Sequence, residues 1–253
     1  MSRRFSIGHP WTRREWLAFA GSAAATVLGC RLGRPGGSRL FGASEPAAEA
    51  EAAPACVTRP QQIEGSHFID AGLERSDIRV DPADGSIRPG APLELAFQVS
   101  ALDKKGCSAL AGAVVDVWQC DALGVYSGVR DPGGAFDTRG RFFLRGYQRT
   151  DRNGLARFLT IYPGWYHGRT VHIHFKIRAS LPSGRIEFTS QLYFDDALTD
   201  RVHAHAPYRA RGKRTTTNDD DFIFRSGGEQ LLLRLAEKSA GYAGKFEVGL
   251  RIE

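Results

Sequence analysis

Helical periodicity is scarce in this chain of 253 residues, and no segment of the sequence repeats. Only Glu74–Arg79, weakly, and Ala197–His203 have a pattern that favours a helix. Elsewhere apolar and polar residues alternate in short segments separated by glycine and proline turns. This argues against a helical fold and predicts an all-β domain, a β-sandwich with few short helices. The predicted strands are Leu93–Ala101, Ala113–Gln119, Gly140–Arg149, Gly154–Ile161, Thr170–Arg178, Ile186–Phe194, Asp221–Phe224 and Lys245–Ile252.

A strong excess of one charge is also missing. The formal net charge is +6, and Arg3, Arg4, Arg13 and Arg14 against Glu15 contribute +3 of it. The rest of the chain is therefore near +3, which is not the electrostatic footprint of a nucleic-acid-binding protein. We expect no nucleic acid among its partners.

An apolar run long enough to cross a bilayer comfortably is lacking near the N-terminus, where Trp16–Gly29 is only modestly apolar. It follows the twin-arginine pattern of Thr12–Leu17, which predicts that residues 1–30 are a signal peptide for export of a folded protein. Residues 31–60, rich in Gly, Ala, Pro and Glu, read as a flexible linker. Residues 61–253 then form one domain, large enough for a sizeable core.

Cysteine is scarce, with four residues in the whole chain. Cys30 ends Val27–Cys30, a lipoprotein-box pattern. The sequence leaves two outcomes open: Cys30 is lipidated and tethers a membrane-anchored lipoprotein, or cleavage occurs further on and the protein is periplasmic. Because disulfides persist outside the cytoplasm, a bridge between Cys107 and Cys120 is plausible, with Cys56 as the alternative partner of either.

Two histidines share one face of a predicted strand. From Val171 to Ile177 apolar residues alternate strictly with polar ones, which is the period of a half-buried strand. His172 and His174 therefore point the same way, about 7 Å apart at the backbone. Their imidazoles can reach one metal ion, although this spacing alone also fits an ordinary polar strand face.

Two tyrosines follow turns that lead toward this pair. Tyr166 comes after the turn at Pro163 and Gly164, six residues before His172. Tyr126 follows the turn predicted at residues 121–124, after the alternating strand Ala113–Gln119.

At these residues the chain resembles the intradiol ring-cleaving dioxygenases, the catechol and protocatechuate dioxygenase family. The similarity runs roughly from Gln61 to the C-terminus and includes Gln62–Phe68, in which Ser66 replaces a proline of the family pattern. The family patterns and their places here are V-D-V-W-x-x-D-x-x-G-x-Y-S-G at 115–128, P-G-x-Y at 163–166, R-x-x-H-x-H-F at 169–175 and Q-x-Y-F at 191–194.

The resemblance implies an intradiol-type, transthyretin-like β-sandwich that binds a non-haem Fe(III). Its metal ligands would be Tyr126, Tyr166, His172 and His174. The implied reaction opens a catechol-type ring with O2 between the two hydroxylated carbons, giving a cis,cis-muconate-type product. The catalytic residues implied are Tyr166, Arg169 and Gln191. The catechol and the oligomeric state stay open.

Charge accounting agrees with this ligand set. Ferric iron favours hard, anionic phenolate donors, and imidazole suits iron in either oxidation state. Two phenolates, two neutral imidazoles and one hydroxide balance three positive charges, as a buried site requires. A bound catechol dianion keeps this balance if it displaces hydroxide and one tyrosinate. In the family the displaced residue corresponds to Tyr166.

Two other classes of function compete. A transthyretin-like binding module for small aromatics or a protein partner needs no metal-competent donors, and a zinc hydrolase would not be expected to use two tyrosines. His203 and His205 repeat the His-x-His spacing without a tyrosine motif, so we expect no metal there. Tyr147, Tyr162 and Tyr193 are interpreted as strand aromatics. The sequence does not decide whether His67 or His167 reaches the site.

Overall fold

The computed structural model describes residues 56–131, 133–181 and 184–252. Two β-sheets, in which most strand pairs are antiparallel, form the domain. The predicted signal peptide, the lipidation site at Cys30 and most of the predicted linker lie outside the described residues. Within these ranges, no helix has the length and apolar character needed to cross a membrane.

The described residues form nine strands, with one α-helix between the seventh and the eighth strand. The elements are β1 Pro92–Asp103, β2 Gly106–Ala109, β3 Val114–Trp118, β4 Arg145–Arg149, β5 Leu155–Ile161, β6 His172–Leu181, β7 Gly184–Tyr193, α1 Asp196–His203, β8 Leu235–Lys238 and β9 Gly241–Arg251. Two short 3₁₀ helices lie at Tyr208–Arg211 and Gly228–Leu231. The all-β fold is thus confirmed, as is the helix predicted at Ala197–His203.

Long strands lie inside both sheets, β1 and β9 in the first and β6 in the second. In the first, β1 pairs with β9 in parallel and with β2 and β5 antiparallel, while β8 extends the sheet beyond β9. The second sheet has the order β4-β3-β6-β7 and is antiparallel throughout. Phe97 of β1, Phe175 of β6 and Phe246 of β9 meet between the sheets with ring centroids 5.1–6.3 Å apart.

Both faces of β6 are buried. Ile173, Phe175 and Ile177 face the core between the sheets and are fully buried. On the opposite face His172 and His174 are only 2% exposed, because loops cover that side of the sheet. A polar pair is therefore held in a largely dry environment, where each polar atom needs a partner.

One predicted strand begins later than expected. The prediction Gly140–Arg149 is wrong in its first half, and β4 starts at Arg145. Leu144 has φ +53°, outside the strand region, and its N–H donates to the carbonyl of Ile78 at 2.6 Å. The alternation of apolar residues there reflects a turn with buried side chains.

Two further predicted elements are wrong. Asp221–Phe224 forms turns, since the Asp221 carboxylate accepts a hydrogen bond from the N–H of Ile223 at 2.8 Å. Glu74–Arg79 is an extended segment that makes isolated bridges with Tyr147 and Leu159, so its weak helical pattern is overridden by tertiary pairing.

The disulfide links Cys56 to Cys107, and the pairing of Cys107 with Cys120 is wrong. Cys107 lies in β2 of the first sheet, whereas Cys120 follows β3 in the second and is buried there as a free thiol. Cys56 reaches the first sheet because the N–H of Gly249 donates to the carbonyl of Val57 at 2.7 Å. The bridge fastens the segment that precedes β1.

We predict that replacing Cys56 and Cys107 by serine lowers the free energy of unfolding by about 2–4 kcal/mol, since the bridge closes a loop with a sequence separation of 51 residues. Urea denaturation with and without dithiothreitol measures this. The reductant should destabilise the wild type by the same amount as the double substitution does. It should leave the stability of the double variant unchanged. A wild type whose midpoint does not respond to reduction would contradict the assignment.

Candidate metal centre

Four predicted ligands meet above the loop-covered face of β6. The Tyr166 hydroxyl lies 3.0 Å from His172 Nε2, which in turn lies 3.0 Å from His174 Nε2. The Tyr126 ring packs edge-on against Tyr166, with centroids 5.6 Å apart. Two ligands at right angles on one ion, with bonds of about 2.1 Å, are about 3.0 Å apart, so the spacing of these donors fits a shared metal.

A backbone carbonyl fixes the orientation of the His172 ring. Its Nδ1 lies 2.6 Å from the carbonyl oxygen of Thr170. A carbonyl only accepts, so Nδ1 carries the proton and Nε2 keeps its lone pair toward the cluster. This is the arrangement that metal-binding histidines usually have.

His174 is held by stacking instead. The Trp118 ring lies parallel to it, with an interplanar angle of 5° and centroids 5.1 Å apart. Gly65 also approaches the ring so closely that an added Cβ would lie 3.2 Å from the imidazole Cε1. The ring therefore has little room to rotate.

Tyr126 is the most enclosed member of the cluster. It packs with Trp118 and Cys120 and is 1% exposed. The His67 ring stacks on it with a centroid distance of 4.2 Å. Its hydroxyl is buried, and no group in the described part of the chain gives it a hydrogen bond of acceptable geometry. A bound cation would supply the missing partner.

Two turns packed together set the positions of Tyr126 and Tyr166. The Asp121 side chain accepts hydrogen bonds from the N–H groups of Leu123 and Val125, which closes the turn before Tyr126. The N–H of Gly164 donates to the Asp121 carbonyl at 3.1 Å. Gly124 has φ +80°, and a Cβ there would lie 2.2 Å from the carbonyl oxygen of Trp165. Glycine is thus required where the turns touch.

Burial keeps all four donors neutral in the absence of a cation. It raises the pKa of Tyr126 well above the usual range, with a further contribution from Tyr166. Burial also raises the pKa of Tyr166 to about 12, against the opposing effect of Arg169. The same desolvation lowers the pKa of His172 to about 3 and that of His174 well below its ordinary value. Two phenolates can form here only beside a strongly positive ion.

The donor set therefore fits ferric iron. Across the described residues, no three of His, Cys, Asp and Glu lie together in a way that could hold a metal. The cluster owes half of its donors to tyrosine, whose phenolate is a hard anionic ligand. This composition does not favour the zinc alternative.

Arg169 and Gln191 lie beside the cluster and contact each other. Arg169 Nη2 donates to Gln191 Oε1 at 2.6 Å, and Gln191 Nε2 donates to the carbonyl of Ile63 at 3.0 Å. Arg169 Nε donates to Asp221 Oδ2 at 2.8 Å. Sequence reasoning missed Asp221, which stands last in a run of three aspartates that gives no sign of which one is buried.

The segment before β1 covers part of the site. Besides Gly65 and His67, it contributes Glu64, whose carboxylate pairs with Lys176 of β6. The Lys176 ammonium also lies 4.1 Å from the centroid of the Phe68 ring. His67, left undecided by the sequence, thus lies at the cluster.

The other discounted residues lie elsewhere or play packing roles. His203 is buried with Nε2 3.0 Å from the carbonyl of Pro163, and His205 is exposed. His167 is also exposed. Tyr193 belongs to β7, and its hydroxyl lies 2.7 Å from Gln62 Oε1 and 3.2 Å from Gln191 Oε1, so it packs beside the site. Tyr162 follows β5, and its hydroxyl lies 2.7 Å from that of Thr199.

Comparison with known proteins gives consistent matches. A family model described as "Dioxygenase" matches residues 63–217, which include all four candidate ligands. Catechol 1,2-dioxygenase 2 of Acinetobacter lwoffii is 31% identical over 204 residues, covering 73% of this chain and 68% of that protein.

Solved structures match as well. An intradiol ring-cleavage dioxygenase from Tetranychus urticae is 31% identical, with a TM-score of 0.66 over 78% of this chain and 95% of that one. The dioxygenase domain of a dioxygenase–carbohydrate-binding protein fusion from Streptomyces sp. SirexAA-E is 30% identical, with a TM-score of 0.54 over 78% of this chain and 100% of that one.

We predict that Gly124→Ala disrupts the site, whereas Gly140→Ala does not. Both glycines have similar φ, +80° and +82°, but a Cβ at Gly140 would meet no atom within 4 Å. Gly140→Ala should lower the free energy of unfolding by about 1–2 kcal/mol, and Gly124→Ala by about 3 kcal/mol or more, with loss of metal affinity. Thermal melts and metal titrations measure both. Equal behaviour of the two variants would refute the turn packing described here.

Proposed function

The chain belongs to the intradiol ring-cleavage dioxygenase family, and on that premise we propose that it is a non-haem iron(III) dioxygenase of catechols. It opens a catechol-type ring between the two hydroxylated carbons, and both atoms of O2 enter a cis,cis-muconate-type product. The observation that carries the proposal is the convergence of two phenols and two imidazoles. His172 Nε2 lies 3.0 Å from the Tyr166 hydroxyl and 3.0 Å from His174 Nε2.

Tyr126, Tyr166, His172 and His174 hold the iron in this proposal. When bound, ferric iron supplies the Lewis acid that binds the catechol oxygens and makes the ring reactive toward O2. The two histidines stay in place because Thr170 and Trp118 restrain their rings.

The two tyrosines take different roles. Tyr126 is fully buried and stacked against His67, which favours a permanent ligand. Tyr166 is only partly buried and lies in the loop between β5 and β6, so it can swing away at lower cost. With iron bound, the Tyr166 phenolate oxygen would accept one proton from the catechol, and the hydroxide of the charge balance would accept the other and leave as water. The phenol that results is neutral, so the site gains no excess negative charge.

Arg169 and Gln191 act on the reacting ring. The Arg169 guanidinium is a fixed positive charge in a water-poor site, where it stabilises negative charge that develops on the substrate. Gln191 accepts from Arg169 and donates to the Ile63 carbonyl, so its amide is held in one orientation beside the substrate position.

We predict that the iron-loaded protein converts at least one member of a catechol panel to a ring-opened dicarboxylic acid. In ¹⁸O2, mass spectrometry should find two labelled atoms per product. A product with an aldehyde group would place cleavage outside the two hydroxylated carbons. That result, or the absence of O2 uptake with every catechol, would contradict the proposal.

Tyrosine variants separate the two assigned roles. Tyr166→Phe should retain iron but bind catechol more slowly in stopped-flow absorbance, because the base that accepts the proton is gone. Tyr126→Phe should lose iron. Tyr147→Phe, which removes a hydroxyl that donates to Glu74 at 3.3 Å, is the matched control and should do neither. Equal iron loss in the two site variants, with unchanged catechol binding in Tyr166→Phe, would overturn the roles.

We also propose that the protein is exported in its folded state through the twin-arginine route, to the periplasm or to a lipid anchor at Cys30. The supporting feature is Arg13 and Arg14 before a weakly apolar run. Replacing both by lysine should leave precursor in the cytoplasm, as fractionation and immunoblotting would detect. Normal export of that variant would refute the signal. Cys30→Ala should release the protein from membranes only if Cys30 is acylated.

A further inference from the structure

Two hydrogen bonds restrict the orientation of the Arg169 side chain. Its side chain is 13% exposed, and its Nε donates to Asp221 Oδ2 at 2.8 Å while Nη2 donates to Gln191 at 2.6 Å. Asp221 is fully buried. A buried carboxylate that faces a guanidinium in this way is restrained by both charge and directed hydrogen bonds.

The same carboxylate holds the backbone next to the arginine. Asp221 Oδ2 also accepts the N–H of Thr170 at 2.9 Å, and Oδ1 accepts the N–H of Ile223 at 2.8 Å. Thr170 is the residue whose carbonyl oxygen lies 2.6 Å from His172 Nδ1. One side chain therefore fixes the loop at the point where it enters β6, between Arg169 and the first histidine.

Asp221 itself has a rigid support. The Thr170 hydroxyl donates to Asn218 Oδ1 at 2.7 Å, and Asn218 Nδ2 donates to the Phe194 carbonyl at 2.9 Å. The N–H of Asn218 donates to Asp196, the first residue of α1, at 3.1 Å. The segment from Asn218 to Asp221 is thus tied to the end of β7 and to α1.

We propose that Asp221 is a positioning residue for the ring-cleavage reaction: it holds the Arg169 guanidinium in the one orientation that serves the substrate. This inference rests on the proposed function, because the role of Arg169 does. Asp221 touches neither substrate nor metal, and its effect on turnover passes through Arg169.

Hydrogen exchange in the wild type tests the contact without any turnover. In full-length protein loaded with diamagnetic Ga(III), the ¹⁵Nε–H of Arg169 should exchange far more slowly than that of Arg157, whose side chain is 65% exposed. Arg169→Ala identifies the resonance. Exchange as fast as that of Arg157 would overturn the proposal even if a variant at Asp221 failed to fold.

Kinetics then test the consequence for the reaction. Asp221→Asn should keep the iron content and the visible absorption band, lower kcat by about 10²-fold and leave KM for the catechol unchanged, as expected for a misplaced group that acts in the transition state. Asp220→Asn is the matched control, since its exposed carboxylate accepts hydrogen bonds from Thr217 and lies outside the site. It should have normal kcat.

A double-variant cycle separates positioning from general damage. If Asp221 acts through Arg169, Asp221→Asn should cost nothing further in the Arg169→Ala background. The inference would be refuted if the kcat losses of the two single variants multiplied in the double variant. It would also be refuted if Asp220→Asn lowered kcat as much as Asp221→Asn. If the wild type cleaves no catechol, the proposed function fails, and the exchange of the Arg169 Nε–H still decides whether Asp221 holds this side chain.

Discussion

The burial of both faces of β6 is the constraint on which the rest of this domain depends. Alternation sends Ile173 and Phe175 into the core and sends His172 and His174 to the opposite side. Were that side open to water, the imidazoles would be solvated and free to rotate. Because loops cover it, every polar atom there must find a partner, and the partners available are one another and a cation.

The surrounding structure meets most of that requirement, although His174 Nδ1 and Trp118 Nε1 are buried with no hydrogen-bond partner among the described residues. The Thr170 carbonyl and the Trp118 ring fix the histidines, and the packed turns at Asp121 and Gly164 bring two phenols within reach. The segment before β1 closes the site from above, and the bridge from Cys56 to the first sheet keeps it there. These neutral donors would become anionic only beside a positive ion, so binding of the proposed iron and ionisation of the tyrosines would be one event.

Sequence reasoning predicted those features that depend on local periodicity. The alternation at residues 171–177 placed both histidines on one face, and six of the eight predicted strands agree with the structure to within a few residues. It could not place Leu144 in its turn, because a positive φ at leucine leaves no pattern. Asp221 was also beyond it, because its partner Arg169 is distant in sequence. The observed bridge from Cys56 to Cys107 was predicted only as the alternative, because local residue types do not indicate which cysteines pair. The convergence of Tyr126 and Tyr166 on the histidines was expected only through resemblance to a family.

The central claim is that these four side chains bind one ferric ion. A titration of the metal-free protein with Fe(III), followed by visible absorbance and metal analysis, tests it most directly. We predict a tyrosinate-to-iron charge-transfer band that saturates at about one iron per chain, since the four side chains form one cluster. Stoichiometric zinc in the isolated protein, with no visible band after iron reconstitution, would contradict the account.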